Sequence, residues 1–385
     1  MRGADLYALF TGDIPEASAG IDRGVQIGVS WFAAGKFVSS FALLFGIGAG
    51  LMVARALAAG QPPGRLLARR YAWLLLFGLA HMILLFPGDI LLGYGVTGLV
   101  LLAFVKVKPR AALWWSGALL GVVTAVTLLF TWLATRIDPA ATPAADDPFT
   151  AGLEEFLATL GEKAVAAFTT GSYLDVIMVN AGQALILQSG NLLAVPWLLG
   201  VFLLGFAVAR AGIVKDLPAH RTLLRWAAIL GLTAGIPLNA ALGLFDPLAL
   251  LAGSYTGEGM SGGLPFLVIL GQVLGAPVLA VGYLATLALW TLRRGPVGPL
   301  AAVGRMALTA YLLQSLLALI VFAGFGLYDR LTSGQAMLVV LGIWTVLLVV
   351  CPLWLRRFRF GPAEWLWRSL TYGRRQPWRR SSDAA

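Results

Sequence analysis

The chain has 385 residues, 59% of them hydrophobic and only 12% charged, with a mean hydropathy of +0.84. Soluble domains are about 45–50% apolar and about 25% charged, so an ordinary soluble globule is excluded. The net charge of +10 does not point to nucleic acid, because the tail from Arg356 onward concentrates eight Arg against Glu364 and Asp383. No basic patch lies on a soluble module, as a nucleic-acid binder would need.

In chain order the apolar runs fall at residues 25–57, 66–86, 90–107, 111–134, 192–211, 222–244, 264–292, 301–327 and 336–355. Each approaches the roughly 20 residues that cross a bilayer as a helix. The charges between them alternate in sign. Arg65, Arg69 and Arg70, then Lys106, Lys108 and Arg110, then Arg210, Lys215, Arg221 and Arg225, then Arg293 and Arg294 fill one set of loops. Asp89, then Asp146, Asp147, Glu154, Glu155 and Glu162, then Asp246 and Glu258, then Asp329 fill the other.

Lys and Arg are retained on the cytoplasmic side, so the N-terminus is expected outside and the C-terminus inside a bacterial cytoplasmic (inner) membrane. That threading puts 22 Lys/Arg inside and five outside, with Lys36 within a span. Membrane lipids are the expected partners, and the oligomeric state is not legible. The expected fold class is all-α: a polytopic transmembrane helical bundle of about nine spans, with a surface or re-entrant helix and an inner-leaflet amphipathic tail helix.

The expected organisation is an outer N-terminal segment (1–24), four spans (25–135), an extracytoplasmic cap with its surface helix (136–191), five spans (192–355) and a basic aromatic tail (356–385). Residues 172–191 are apolar but interrupted by Asn180, Gln183, Gln188, Ser189 and Asn191. Making them a span would give every later loop the wrong charge, and polar groups at membrane depth must face protein or water. They are therefore read as a non-crossing helix packed on the bundle. In the tail, Trp354, Phe358, Phe360, Trp365, Trp367, Tyr372 and Trp378 interleave with arginines, as in a helix lying among headgroups. The single Cys351 rules out an internal disulfide and a Cys-based metal site, and two distant histidines leave no other metal cluster.

Several segments resemble the YeiB-like family of bacterial membrane proteins, a domain of unknown function. They are Lys36-Phe37, Leu44-Phe45-Gly46-Ile47-Gly48, Arg69-Arg70, Gly78-Leu79-Ala80-His81, Gly88-Asp89-Ile90-Leu91 and Tyr94. Near the C-terminus come Gly304-Arg305-Met306-Ala307-Leu308-Thr309-Ala310-Tyr311, Gln314-Ser315, and residues 360–368 from Phe360-Gly361-Pro362-Ala363-Glu364 to Arg368. The resemblance implies a fold of many transmembrane helices and a distant similarity to acyltransferases that take an acyl group from cytoplasmic coenzyme A. Family members start inside with a further helix; here only residues 6–10 are apolar before the first run, so that helix is expected to be missing.

The candidate catalytic residues are His81 and Asp89. His81 stands six residues before Pro87, roughly 9 Å below the outer turn, where an ionisable group is functional by default. Asp89, across that turn, can fix its tautomer and raise its basicity; the plainer reading is a pair that locks a helical hairpin. Candidate substrate-binding residues are Lys36, Tyr94, Arg69, Arg70, Arg305, Gln314, Glu364 and Arg368. Arg69, Arg70 and Arg305 form a basic inner rim for a phosphate-bearing donor, with ordinary lipid anchoring as the alternative. Lys36 either snorkels or pairs with a carboxylate such as Asp89. Glu364 and Arg368 form an i, i+4 pair. Tyr311, Gln314 and Ser315 share a helix face and bond to neighbouring helices.

Two functions follow. One is a transmembrane acyltransferase using acyl-coenzyme A and a small-molecule or glycan acceptor, with no metal. The other is a solute transporter in which Lys36, His81 and Asp89 relay protons or neutralise substrate. A non-catalytic membrane component is a third.

Overall fold

The computed structural model of the chain describes residues 20–134, 136, 148–240 and 264–379, and these are helical with no strand among them. The helices are α1 (Ile21–Phe32), α2 (Lys36–Ala58), α3 (Pro63–Leu84), α4 (Leu91–Val100, prolonged by a 3-10 turn Leu101–Phe104), α5 (Pro109–Ala134), α6 (Pro148–Thr169), α7 (Tyr173–Leu193) and α8 (Val195–Arg210). They continue with α9 (Arg221–Leu238), α10 (Leu264–Leu270), a π-turn (Gly271–Gly275), α11 (Ala276–Arg294), α12 (Gly298–Arg305), α13 (Ala307–Leu319, ending in a π-turn Ile320–Gly324), α14 (Ser333–Arg357) and α15 (Pro362–Tyr372). Prolines open α3, α5, α6 and α15, where the missing N–H costs nothing. Reciprocal capping boxes, Ser172 with Asp175 and Thr332 with Gln335, start α7 and α14.

Among the described residues, seven helical stretches are by length and composition able to cross a membrane: Ile21–Ala58, Pro63–Leu84, Pro109–Leu133, Tyr173–Leu193, Pro265–Arg294, Ala307–Gly324 and Ser333–Arg357. Leu91–Phe104 and Val195–Arg210 are shorter apolar helices. The expected all-α membrane bundle is therefore present, and its large side chains turned outward, among them Trp114, Phe130 and Leu338, make an apolar exterior. The N-terminal segment before Gly20, the start of the acidic cap, the end of the 222–244 run and the loop with Asp246 and Glu258 lie outside the described residues.

Two expectations change. The first run is two helices, because Gly35 adopts φ 75° and breaks the chain between Phe32 and Lys36. Residues 172–191 form a helix long and apolar enough to cross, where a non-crossing element was expected. Its contacts describe how it lies. Tyr173 Oη donates to the Leu84 carbonyl (2.8 Å) and Asn180 Nδ2 to Ile83 (3.4 Å). Gln188 Nε2 donates to Pro87 and Asp89 (3.1 and 3.0 Å) and Asn191 Nδ2 to Asp89 (3.3 Å). From Tyr173 to Asn191 is about 27 Å of helix, yet all these bonds land between Ile83 and Asp89. Thus α7 lies across the α3–α4 turn, with its amides inward and Leu174, Met178 and Leu185 outward. Only Ala194 (φ −77°, ψ −4°) separates it from α8, and helical dihedrals bend a chain without reversing it. So α7 runs on into α8 through a single bend.

The core forms where α2, α3, α4 and α8 meet, around Tyr71, Tyr94, Phe202 and Phe206. Glycine permits this closeness: a Cβ on Gly46 would strike the Phe202 carbonyl, and one on Gly205 the Leu43 carbonyl. Small residues at crossing points let helices meet by van der Waals contact where lipid offers no hydrophobic drive.

Candidate active site

The α3–α4 turn brings His81 and Asp89 together. Helix α3 ends at Leu84, where the His81 carbonyl accepts from Leu85 and Phe86 (2.8 and 3.0 Å), and the chain returns through Pro87-Gly88 into α4. Asp89 and His81 are both buried, and Asp89 Oδ1 stands 2.8 Å from His81 Nδ1. Asp89 Oδ2 accepts from the backbone N–H of Leu92 (2.8 Å), capping α4, and Tyr311 Oη donates to Oδ1 (3.1 Å). The carboxylate thus meets three donors. Gly78, one turn before His81, leaves room for it, since a Cβ there would sit 2.8 Å from Asp89 Oδ2.

The other ring nitrogen completes the arrangement. His81 Nε2 lies 2.8 Å from Ser315 Oγ on α13. The carboxylate can only accept, so it fixes the proton on Nδ1 and leaves the Nε2 lone pair facing the serine hydroxyl. Ser315 also reaches its own Tyr311 carbonyl, but at 3.4 Å, and the shorter contact dominates. Tyr311 packs over the imidazole, ring centroids 4.7 Å apart. Carboxylate, imidazole and hydroxyl thus form one line drawn from two helices and a turn.

Ser315 borders a cavity of about 300 Å³, at the small end of ligand pockets. Its wall is mostly apolar, from Leu85, Phe86 and Phe168 to Phe322 and Trp344, and no charged side chain of the described residues lines it. Asn180, Gln183 and Gln314 supply its amides, and Asn180 Oδ1 is buried without a hydrogen-bond partner. Val340 and Trp344 line it while 45% and 36% exposed, so the cavity reaches the outer surface of the bundle along α14.

The family described as "Protein of unknown function (DUF418)" matches residues 208–374, which include α13 and α15. The uncharacterized protein YxaH of Bacillus subtilis (strain 168) is 30% identical over 369 residues, covering 91% of this chain and 82% of the relative. The uncharacterized protein YeiB of Escherichia coli (strain K12) is 32% identical over 344 residues, covering 87% and 81%. The chain belongs to the DUF418, or YeiB-like, family. No solved structure matches it.

The remaining candidate residues divide between this site and places away from it. Gln314 lines the cavity beside Ser315. Lys36 does not pair with Asp89: buried at the start of α2, its Nζ donates to the Ser30 carbonyl at 2.8 Å, at the negative C-terminal end of α1. Tyr94 is buried in the core and donates to the Val38 carbonyl (2.6 Å). Glu364 and Arg368 are not an ion pair. Glu364 Oε1 accepts from the N–H groups of Leu308 and Thr309 (2.6 and 3.0 Å), and Oε2 from Thr309 Oγ1 (2.5 Å). Arg368 lies over the rings of Phe360 and Tyr372 instead. A helix N-terminus offers free N–H groups, and they outcompete a solvated arginine one turn away.

The tail also differs from a floating anchor. Ala363, Trp367 and Thr371 of α15 are buried, and Trp367 Nε1 donates to the Arg70 carbonyl (2.9 Å). The Arg70 guanidinium sits 3.7 Å from the Trp367 ring, and Arg69 donates to the Leu370 carbonyl (3.0 Å). Trp354 stacks on Phe358, and Trp378 meets Trp354, Phe358 and Trp365 edge-on. Of the three expected rim arginines, Arg69 and Arg305 are exposed, while Arg70 is held under α15. Ser315 is what the residue pattern understated: in sequence it is one more hydroxyl on a helix face, and only the fold places it on His81.

Proposed function

We propose that this membrane protein is an acyltransferase whose proton-transfer base is His81, oriented by Asp89. The observation that carries the reading is a buried imidazole with its tautomer set on one side and its free nitrogen aimed at a hydroxyl beside a cavity. General bases require that hydrogen-bond reach. In this reading an acceptor hydroxyl, on a small molecule or glycan, loses its proton to Nε2 as its oxygen attacks an acyl carbonyl held in the cavity. The resulting imidazolium faces the Asp89 carboxylate, which stabilises it. The acyl donor is an activated thioester such as acyl-coenzyme A, with the exposed Arg69 and Arg305 at the basic end of the bundle as candidate phosphate contacts.

The transport reading draws on Lys36, His81 and Asp89 acting together. Lys36 is bonded at the α1–α2 break instead, and this favours acyl transfer. Membranes carrying the protein, given acyl-coenzyme A labelled in its acyl group, are expected to move label into a lipid or glycan fraction. His81→Ala should lower that transfer by about two to four orders of magnitude while the protein still purifies as a monodisperse species. Equal transfer by wild type and variant would reject the reading.

The alternating charge of the loops supports a reading in which this chemistry faces the outside of a bacterial inner membrane, with the C-terminus inside. Single cysteines introduced at residues 152–156 should react with an impermeant reagent added outside intact cells. Labelling only after the cells are opened would reverse the orientation.

A further inference from the structure

We infer that Ser315 is a catalytic nucleophile that carries the acyl group as an ester during the reaction, the cavity beside it holding the acyl moiety. This inference rests on the acyl-transfer reading of the same site and adds a covalent intermediate to it.

The geometry requires no rearrangement. A serine hydroxyl is weakly nucleophilic until an adjacent base takes its proton, and the base must itself be oriented by a third group. Ser315 Oγ, His81 Nε2, His81 Nδ1 and Asp89 Oδ1 are linked at 2.8 Å and 2.8 Å. The same acid–base–nucleophile roles recur on unrelated folds and are recognised by geometry, not by sequence position. A serine placed only to satisfy the imidazole would have no need to stand on a cavity wall. This one does, with Gln314 beside it and the unpartnered Oδ1 of Asn180 on the same wall. The apolar, uncharged lining suits a hydrocarbon chain, and the NH2 groups of Gln183 and Gln314 are donors on that wall that can meet a carbonyl oxygen.

The steps balance. Ser315 Oγ attacks the acyl carbonyl of an ester or thioester, and its proton passes to His81 Nε2. The bond from acyl carbon to leaving oxygen or sulfur breaks, and that leaving group departs with the proton from His81. An acceptor hydroxyl then attacks the Ser315 ester and gives its proton to Nε2. The acyl–Oγ bond breaks, and Oγ recovers the proton. No electrons are exchanged and no further reactant is required.

The experiment uses the full chain in lipid nanodiscs and a fluorophosphonate probe with an alkyl tail. Peptide mapping by mass spectrometry is expected to find one adduct, on Ser315. Ser315→Ala should give none, and Asp89→Asn should slow labelling at least about tenfold by disturbing the tautomer. With labelled acyl-coenzyme A, a hydroxylamine-sensitive label should appear on the Ser315 peptide of the wild-type protein. Failure of both reagents to modify Ser315 overturns the inference. So does Ser315→Ala that keeps full transfer while His81→Ala abolishes it, an outcome that leaves His81 acting directly on the acceptor. If His81→Ala also keeps full transfer, the acyl-transfer reading falls as well.

Discussion

Two carboxylates in this bundle are held by three donors each, and the contrast between them separates chemistry from architecture. Glu364, on the tail helix, takes Leu308 N–H, Thr309 N–H and Thr309 Oγ–H at the start of α13. Asp89 takes Leu92 N–H, the His81 ring and the O–H of Tyr311, two residues further along the same helix. All of Glu364's donors are fixed backbone or hydroxyl groups, and their bonds end there. One of Asp89's donors is an imidazole that passes the interaction to Ser315 and a cavity. Satisfied hydrogen bonding alone therefore says nothing of function; a titratable group between the carboxylate and an open space does.

Asp89→Asn should break the His81 site most sharply after loss of His81 itself. Every partner of the Asp89 side chain is a donor, so whichever way an Asn amide turns, its NH2 meets another donor. The imidazole escapes by moving its proton to Nε2, which removes the lone pair from the hydroxyl. Transfer should fall by about 10³–10⁴-fold, the scale of a wrong-tautomer lesion in a serine triad. The near-silent result, less than a threefold loss at equal protein, would mean that Asp89 only locks the hairpin. Gly78→Ala tests the same pair more gently. Its Cβ would lie 2.5 Å from Leu92 N and 2.8 Å from Asp89 Oδ2, so α4 must shift. Misplacement of that order costs about 10²-fold in rate, and a variant with unchanged rate would show that the pair tolerates looser geometry.

Much of this was legible in the residues, for identifiable reasons. Hydropathy and alternating charge read out the helices because a bilayer imposes length and sign on them. The His81–Asp89 contact was legible because only a Pro-Gly turn separates their helices. Ser315 was not, because it lies 234 positions away from His81 and helix-face reasoning cannot say which neighbour a face meets. Lys36 was placed inside a span because residues 25–57 were read as one continuous run, when the positive φ of Gly35 breaks the helix just before it. Glu364 was misassigned because i, i+4 spacing describes an isolated helix, and α15 is docked on α13. Local rules failed where a partner came from far along the chain.

Glu364 provides the mildest and most diagnostic contrast. Glu364→Gln keeps the shape of the side chain and one carbonyl oxygen, which can still accept from Leu308 and Thr309. The second oxygen becomes an NH2 facing Thr309 Oγ1. That hydroxyl already accepts from Ala363 N–H at 3.0 Å, so it is poorly placed to accept again. The variant also removes negative charge from the N-terminus of α13, where it complements the helix dipole. Together these changes should destabilise the docked tail by about 1–2 kcal/mol, visible as a lower melting temperature in detergent. Transfer per folded molecule should stay within about twofold of wild type, because His81, Asp89 and Ser315 share no hydrogen-bond partner with Glu364 and Ser315 stands about 9 Å further along α13. A Glu364→Gln protein that melts normally but loses transfer would place Glu364 in the reaction, and the division between the two carboxylates would have to be redrawn.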